Sequence, residues 1–120
     1  ALTISSGTTT FNTAQTFTGN LALSAGTIVF QSASTLESGN SDMAIDNDGT
    51  IKYSSTAAQI LSGVISGDGS IIKEESSVLT LGGNNTFTGD LTVDAGTVDV
   101  NGTLADGVDV IVGDNSTAIY

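Results

Sequence analysis

Lys52 and Lys73 are the only basic side chains in a 120-residue chain that has no histidine and no cysteine. Ser-His-Asp and Cys-His nucleophile arrangements are therefore excluded by composition. A Ser–Lys dyad built on Lys52 or Lys73 is the one nucleophile chemistry the residue types leave open. Paired carboxylates could cleave glycosidic bonds. Asp94 and Asp99 flank a turn, and Asp106, Asp109 and Asp114 cluster late in the chain. Their neighbours are small and polar, and without tryptophan no aromatic platform is at hand to seat a sugar ring. Solvated corner residues are the expectation for all five. Calcium is the better ligand candidate, at Asp46-Asn47-Asp48-Gly49. With Gly49 at the sixth place of an EF-hand loop, Ala44 and Ser55 fall where carboxylates belong, at the first and twelfth. What remains is an incidental Ca²⁺ on Asp46 or Asp48 with backbone carbonyls. Gly67-Asp68-Gly69-Ser70 lacks the helix and Lys-Ser/Thr of a phosphate loop and reads as a β corner. The expectation is no catalytic residue, no cofactor and no metal.

The composition indicates what kind of framework would carry these residues. Glycine (15), serine (15) and threonine (18) make up 48 of 120 residues, and only six side chains are aromatic. That supply suits a thin core of Val, Ile, Leu and Ala layers rather than a conventional two-layer interior. Hydrophobicity is that of a folded chain and charged residues are 12%, which argues against disorder. The net charge of −11 reflects a near absence of cations. Such a surface repels nucleic acid and anionic lipid headgroups, so neither is an expected partner. No apolar run is long enough to cross a bilayer, and the absence of an initiator Met or signal peptide suggests a processed chain or a piece of a larger one.

The elements are short strands. Leu79/Leu81, Leu91/Val93 and Val98/Val100 alternate with polar residues, the period-2 signature of half-buried strands. Gly82–Asn85, Thr88–Asp90 and Asp94–Gly96 separate them with turn chemistry. The same text occurs earlier. Phe17–Phe30, FTGNLALSAGTIVF, matches Phe87–Val100, FTGDLTVDAGTVDV, at seven of fourteen positions and an offset of 70 residues. Thr35-Leu36 and Asp46-Asn47 find counterparts 68 residues later. The chain thus divides into a full unit at about 1–68 and a partial one at about 69–120. Repeats of this kind mean a stack of similar units. At roughly 20–25 residues per three-strand coil, about five coils are expected, with like residues stacked a whole number of coils apart. An antiparallel sandwich is the alternative. Ser55–Leu61 reads as a corner or strand entry. The first unit needs an extra loop at about Thr8–Gln15, with Phe11 exposed on it.

Ser66–Gly102 resembles the passenger-associated transport repeat of bacterial autotransporters. Gly67, Gly69, Ile71 and Lys73 match its opening. Leu79-Thr80-Leu81, Gly83, Asn85-Thr86, Thr88-Gly89, Val93 and Gly96-Thr97 match its body, with Phe87 for the usual Tyr and Val98 for the usual Leu. Leu2–Phe30 is a worn second copy. The resemblance implies an all-β, right-handed parallel β-helix exported to the surface of a Gram-negative cell. It also implies a structural part for Lys73, which stands at the repeat's own lysine position.

The function expected on this reading is a rigid stalk segment of an extracellular surface protein, not an enzyme. One rival is a filament subunit whose partners are stacked copies of itself, in place of neighbouring coils of a longer chain. Another is an adhesin that binds a glycan or surface through the Thr8–Gln15 loop.

Overall fold

The computed structural model describes residues 1–120, and apart from one 3₁₀ turn (Glu37–Gly39) all of its regular structure is strand. In chain order the strands are β1 (Leu2–Ile4), β2 (Thr8–Phe11), β3 (Leu21–Leu23), β4 (Thr27–Phe30) and β5 (Asn40–Ser41). Next come β6 (Ile45–Asn47), β7 (Thr50–Tyr53), β8 (Gln59–Leu61), β9 (Ile65–Ser66) and β10 (Ser70–Lys73). The last are β11 (Val78–Leu81), β12 (Leu91–Val93), β13 (Gly96–Val100), β14 (Val110–Val112) and β15 (Ser116–Ile119).

These strands form three parallel sheets that are the walls of a β-solenoid. The first wall runs β1-β3-β6-β9, the second β2-β4-β7-β10-β12-β14, and the third β5-β8-β11-β13-β15. Every pairing is parallel, which rules out the antiparallel sandwich. Six strands in the second wall make six coils, one more than expected. The register explains the extra coil. Successive partners Thr8, Thr27, Thr50 and Ser70 are 19, 23 and 20 residues apart. Ile71, Leu91 and Val110 follow at 20 and 19. The coils are tighter than the longer spacing assumed from the sequence.

Period-2 alternation sends one side chain in two to the axis. Leu21, Leu23, Ile28, Ile65, Leu79, Leu81, Leu91, Val93 and Val98 are fully buried there, as their alternation indicates. Columns of like residues run along the axis. Ile28, Ile51, Ile71 and Leu91 succeed one another in the second wall. Beside them, Phe11, Phe30 and Tyr53 stack with ring centroids 5.3 Å apart at each step. The interior void bordered by Leu21, Tyr53 and Ile71 is about 10 Å³, at the limit for a single water.

Two expectations are corrected. Thr8–Phe11 is strand β2, and Phe11 is only 8% exposed, packed against Phe30 and Phe17. A Thr-Thr-Thr-Phe run is good strand material, and the irregular segment starts after it, at Asn12. The second correction concerns the repeat. Its first copy places Leu21–Leu23 and Thr27–Phe30 on the first and second walls, whereas its second copy places Leu91–Val93 and Gly96–Val100 on the second and third. Seventy residues are three coils plus one wall, so equivalent residues do not stack above each other. What recurs is a strand–corner–strand unit. Gly26 and Gly96 show this, because both have left-handed backbone (φ 91° and 74°) and both are pressed against a neighbouring coil. A Cβ would collide with the Gly7 carbonyl oxygen at one and the Glu75 carbonyl oxygen at the other.

Candidate functional site

Lys73 is the most unusual side chain in the molecule. It follows Ile71 on β10 with the same parity, so it points inward, and it has no exposed surface. Its wall neighbours are Tyr53 one coil before and Val93 one coil after. An ammonium in that column must find partners, because an unpaired buried charge is far too costly. It doubles back to its own corner, where Nζ donates to the carbonyls of Glu74 (2.5 Å) and Glu75 (2.7 Å). Glu75 is in left-handed conformation (φ 65°), so the lysine pins a strained turn from inside. Nζ also lies 5.9 Å from the Tyr53 ring centroid, within cation–π range. Burial lowers the Lys73 pKa to about 8, against the carboxylates of Glu75 and then Glu74, which act to raise it.

Tyr53 completes this polar cluster. Its hydroxyl donates to the Ala57 carbonyl at 2.8 Å, and burial raises its pKa while the hydrogen bond with Ser55 opposes the rise. A serine ladder climbs the same corner. Ser55 Oγ donates to the Ser34 carbonyl and Ser77 Oγ to the Ser55 carbonyl, each at 2.7 Å. Ser34, at the foot of the ladder, has a buried hydroxyl without a partner. Gln59 works likewise on the third wall. Its Oε1 accepts from Leu36 N at 2.8 Å and its Nε2 donates to Leu36 O at 3.2 Å. The carboxamide thus stands in for a strand partner of Leu36.

None of these interior polar roles was read from the sequence. The available signal was parity: Lys73 and Gln59 each hold an inward place in a strand whose register neighbours are apolar. Lys73 was expected to be structural, and its contacts fit that part. Neither lysine meets a serine in the manner of a dyad. Both Lys73 hydrogen bonds go to backbone carbonyls, and Lys52 faces Glu74 across an ion pair of 3.5 Å on the outside. Such half-exposed pairs contribute little. Lys52 and Glu74 border an open cleft of about 420 Å³ with Gln31, Ser32 and Ser54.

The structure scatters the acidic candidates. Asp46 is exposed on the outer face of the first wall. Asp48 accepts from the Asp68 backbone N–H at 3.0 Å, and Asp68 in turn accepts from Thr88 Oγ1 at 3.2 Å. These are corner hydrogen bonds between successive coils. Asp94 is at the corner after β12, and Asp99 is half-buried on the outer face of β13. Asp106, Asp109 and Asp114 are exposed in the last coil. No three His, Cys, Asp or Glu side chains gather closely enough to hold a metal ion. No helix is long and apolar enough to cross a membrane.

The family model described as passenger-associated-transport-repeat matches residues 4–30 and 71–100. The chain carries the passenger-associated-transport-repeat twice. Gly67 and Gly69, which resemble the repeat's opening, lie just outside the second match. Comparison with curated proteins and with solved structures finds no match for the chain. The transport repeat implies a segment of an autotransporter passenger and an extracellular or surface-exposed setting. On the solenoid, each matched segment covers the strand–corner–strand unit described above: β3 and β4 in the first, β12 and β13 in the second.

Proposed function

We infer that the chain is a load-carrying, non-catalytic segment of a surface protein on a Gram-negative cell, a stiff spacer that projects other parts of its passenger. The observation that carries this reading is the continuous interior. Twenty-one buried apolar residues, from Ile4 to Val100, form one cluster along the first five coils, and Leu104 and Val108 of the last coil pack against it partly buried. Each coil is bonded to the next by parallel ladders, so the segment bends only by breaking sheet hydrogen bonds. Its walls are covered mostly by Ser, Thr, Asn and Asp, and the acidic surface disfavours sideways clumping and nucleic-acid contact.

The experiment is removal of one register-matched coil, residues 50–69, from the passenger displayed on cells. A spacer tolerates it: display and distal binding persist, while the isolated 120-residue chain gives no saturable signal with glycans or host surfaces. Loss of binding on deleting that coil, with display intact, or a saturable signal from the isolated chain would assign the segment a recognition role instead.

A further inference from the structure

The turn that leaves the second wall is left-handed in four coils, at Ser32, Glu75, Gly96 and Asn115 (φ 56°, 65°, 74° and 61°). Glycine takes that conformation freely and asparagine readily. Serine and glutamate do not, so something must hold Ser32 and Glu75 there. At Ser32 the next coil does so. The Ser32 carbonyl accepts from Thr56 N at 2.7 Å and from Thr56 Oγ1 at 3.1 Å. At Glu75 the next coil supplies nothing. Asp94 N and Ala95 N turn to the Lys73 carbonyl and Thr97 N to the Ser77 carbonyl, so the Glu74 and Glu75 carbonyls have no backbone donor. Lys73 Nζ is the donor they have.

The same corner turns its carboxylates outward. Glu74 Oε1 accepts from Ser54 Oγ at 2.7 Å, and Glu74 Oε2 pairs with Lys52 Nζ at 3.5 Å. Glu75 is exposed beside them, and all four residues border the open cleft. The next coil is shaped to the lysine as well. A Cβ on Gly96 would come within 2.8 Å of Lys73 Nζ. One buried ammonium thus binds the carbonyls of its own corner and occupies the space beside Gly96.

We propose that Lys73 is a positioning residue for the outer face of its corner. The inward lysine takes the part that glycine plays at other corners, which lets a left-handed turn carry Glu74 and Glu75 and keeps Glu74 within reach of Lys52 and Ser54. The interior charge and the exterior ion pair are therefore coupled through two backbone carbonyls. Removing the ammonium frees the strained turn to open locally without unfolding its coil. The inference rests on the geometry of the corner and not on the segment's part as a passenger spacer.

The test uses the 120-residue chain at pH 7, whose two lysines give two ε-methylene NMR signals after selective labelling. Lys73→Met should keep the strand signal in circular dichroism. Its Lys52 signal should move toward the position that Lys52 takes in Glu74→Gln, where the ion pair is absent. The Glu74, Asp94 and Thr97 amides should exchange about tenfold faster than in the wild type. Adding Glu75→Gly to Lys73→Met should return both readouts to near wild-type values, because glycine needs no support in this conformation. Adding Glu75→Gln instead should not, because it keeps the strained backbone and removes only the charge. If Lys73→Met alone loses the strand signal, the combination with Glu75→Gly should recover it. An unmoved Lys52 signal in folded Lys73→Met would overturn the proposal. So would a rescue by Glu75→Gln as complete as that by Glu75→Gly, which would assign Lys73 to charge balance, or a combination with Glu75→Gly that does not fold.

Discussion

Replacing Lys73 by methionine tests the account of the interior directly. In the folded chain Lys73 loses its proton at about 8, against an ordinary value of 10.5 in the unfolded chain. Below pH 8 both states hold the proton, and the group adds no pH dependence. Between about 8 and 10.5 the unfolded chain holds more protons than the folded one, so stability rises with pH. Integrating the two titrations to pH 9.5 gives a rise of about 2 kcal/mol over neutral pH. Above about pH 10 Tyr53 contributes with the opposite sign: its folded pKa is raised, so the unfolded state sheds that proton first and the Tyr53 contribution falls with pH. Urea denaturation at pH 7.0 and 9.5 reads the first limb. For a domain of this size the midpoint should move up by about 1 M. Lys73→Met keeps the stem volume, removes the charge and should flatten this limb. At pH 7 it should cost little, because relief of a desolvated charge offsets the two lost carbonyl bonds. A wild-type midpoint that stays level or falls between these pH values, or an equal rise in Lys73→Met, would refute the reasoning.

Gly26→Ala and Gly96→Ala should each cost about 2–4 kcal/mol in denaturant titrations, since both combine positive φ with a backbone collision. Their similar cost would show that the corner, and not the wall it joins, is the conserved geometry. Gln59→Leu should destabilise by roughly 1–3 kcal/mol, because it leaves the buried Leu36 N–H without a partner, while the Leu36 carbonyl keeps the Gly39 N–H. Phe30→Ala should cost about 3–5 kcal/mol by opening the ring stack between Phe11 and Tyr53. Lys52→Ala, which breaks only the outer ion pair, should change stability by less than about 1 kcal/mol in the same assay.

Much of this architecture was legible because a solenoid writes its walls in local alternation. Leu79/Leu81, Leu91/Val93 and Val98/Val100 declare inward faces without any knowledge of partners, and all six are buried. Coil length was less legible, because a three-sided coil has no single marker residue. Its corners vary between a two-residue turn after Asn47 and the nine-residue connection from β2 to β3. The Asn12–Asn20 connection is no longer than those from β4 to β5, β11 to β12 or β13 to β14, so the expected extra loop is absent: the added residues are strand β2, which leaves Phe11 inside. The polar interior was least legible. Lys73, Gln59 and Ser55 look like surface residues by type, and only a three-dimensional register shows that their polar ends meet backbone groups of their own or an adjacent coil.

The displacement of the two transport repeats by one wall says what the repeat encodes. If each copy specified a fixed wall, its inward residues would need the same neighbours in both places. They do not have them. Phe30 packs in a ring column against Phe11 and Tyr53, while its counterpart Val100 lies between Leu81 and the last residues of the chain. What both copies keep is two alternating strands around a left-handed glycine that clears the carbonyl of the coil before it. Such a unit is indifferent to which wall it starts on, because each wall demands only apolar residues inward and a sharp corner outward. Both copies keep Gly-Thr at the corner, at Gly26-Thr27 and Gly96-Thr97, while on the axis Leu23, Ile28 and Phe30 are replaced by Val93, Val98 and Val100. A chain built this way can lengthen by inserting whole coils, which leave every later strand on its own wall.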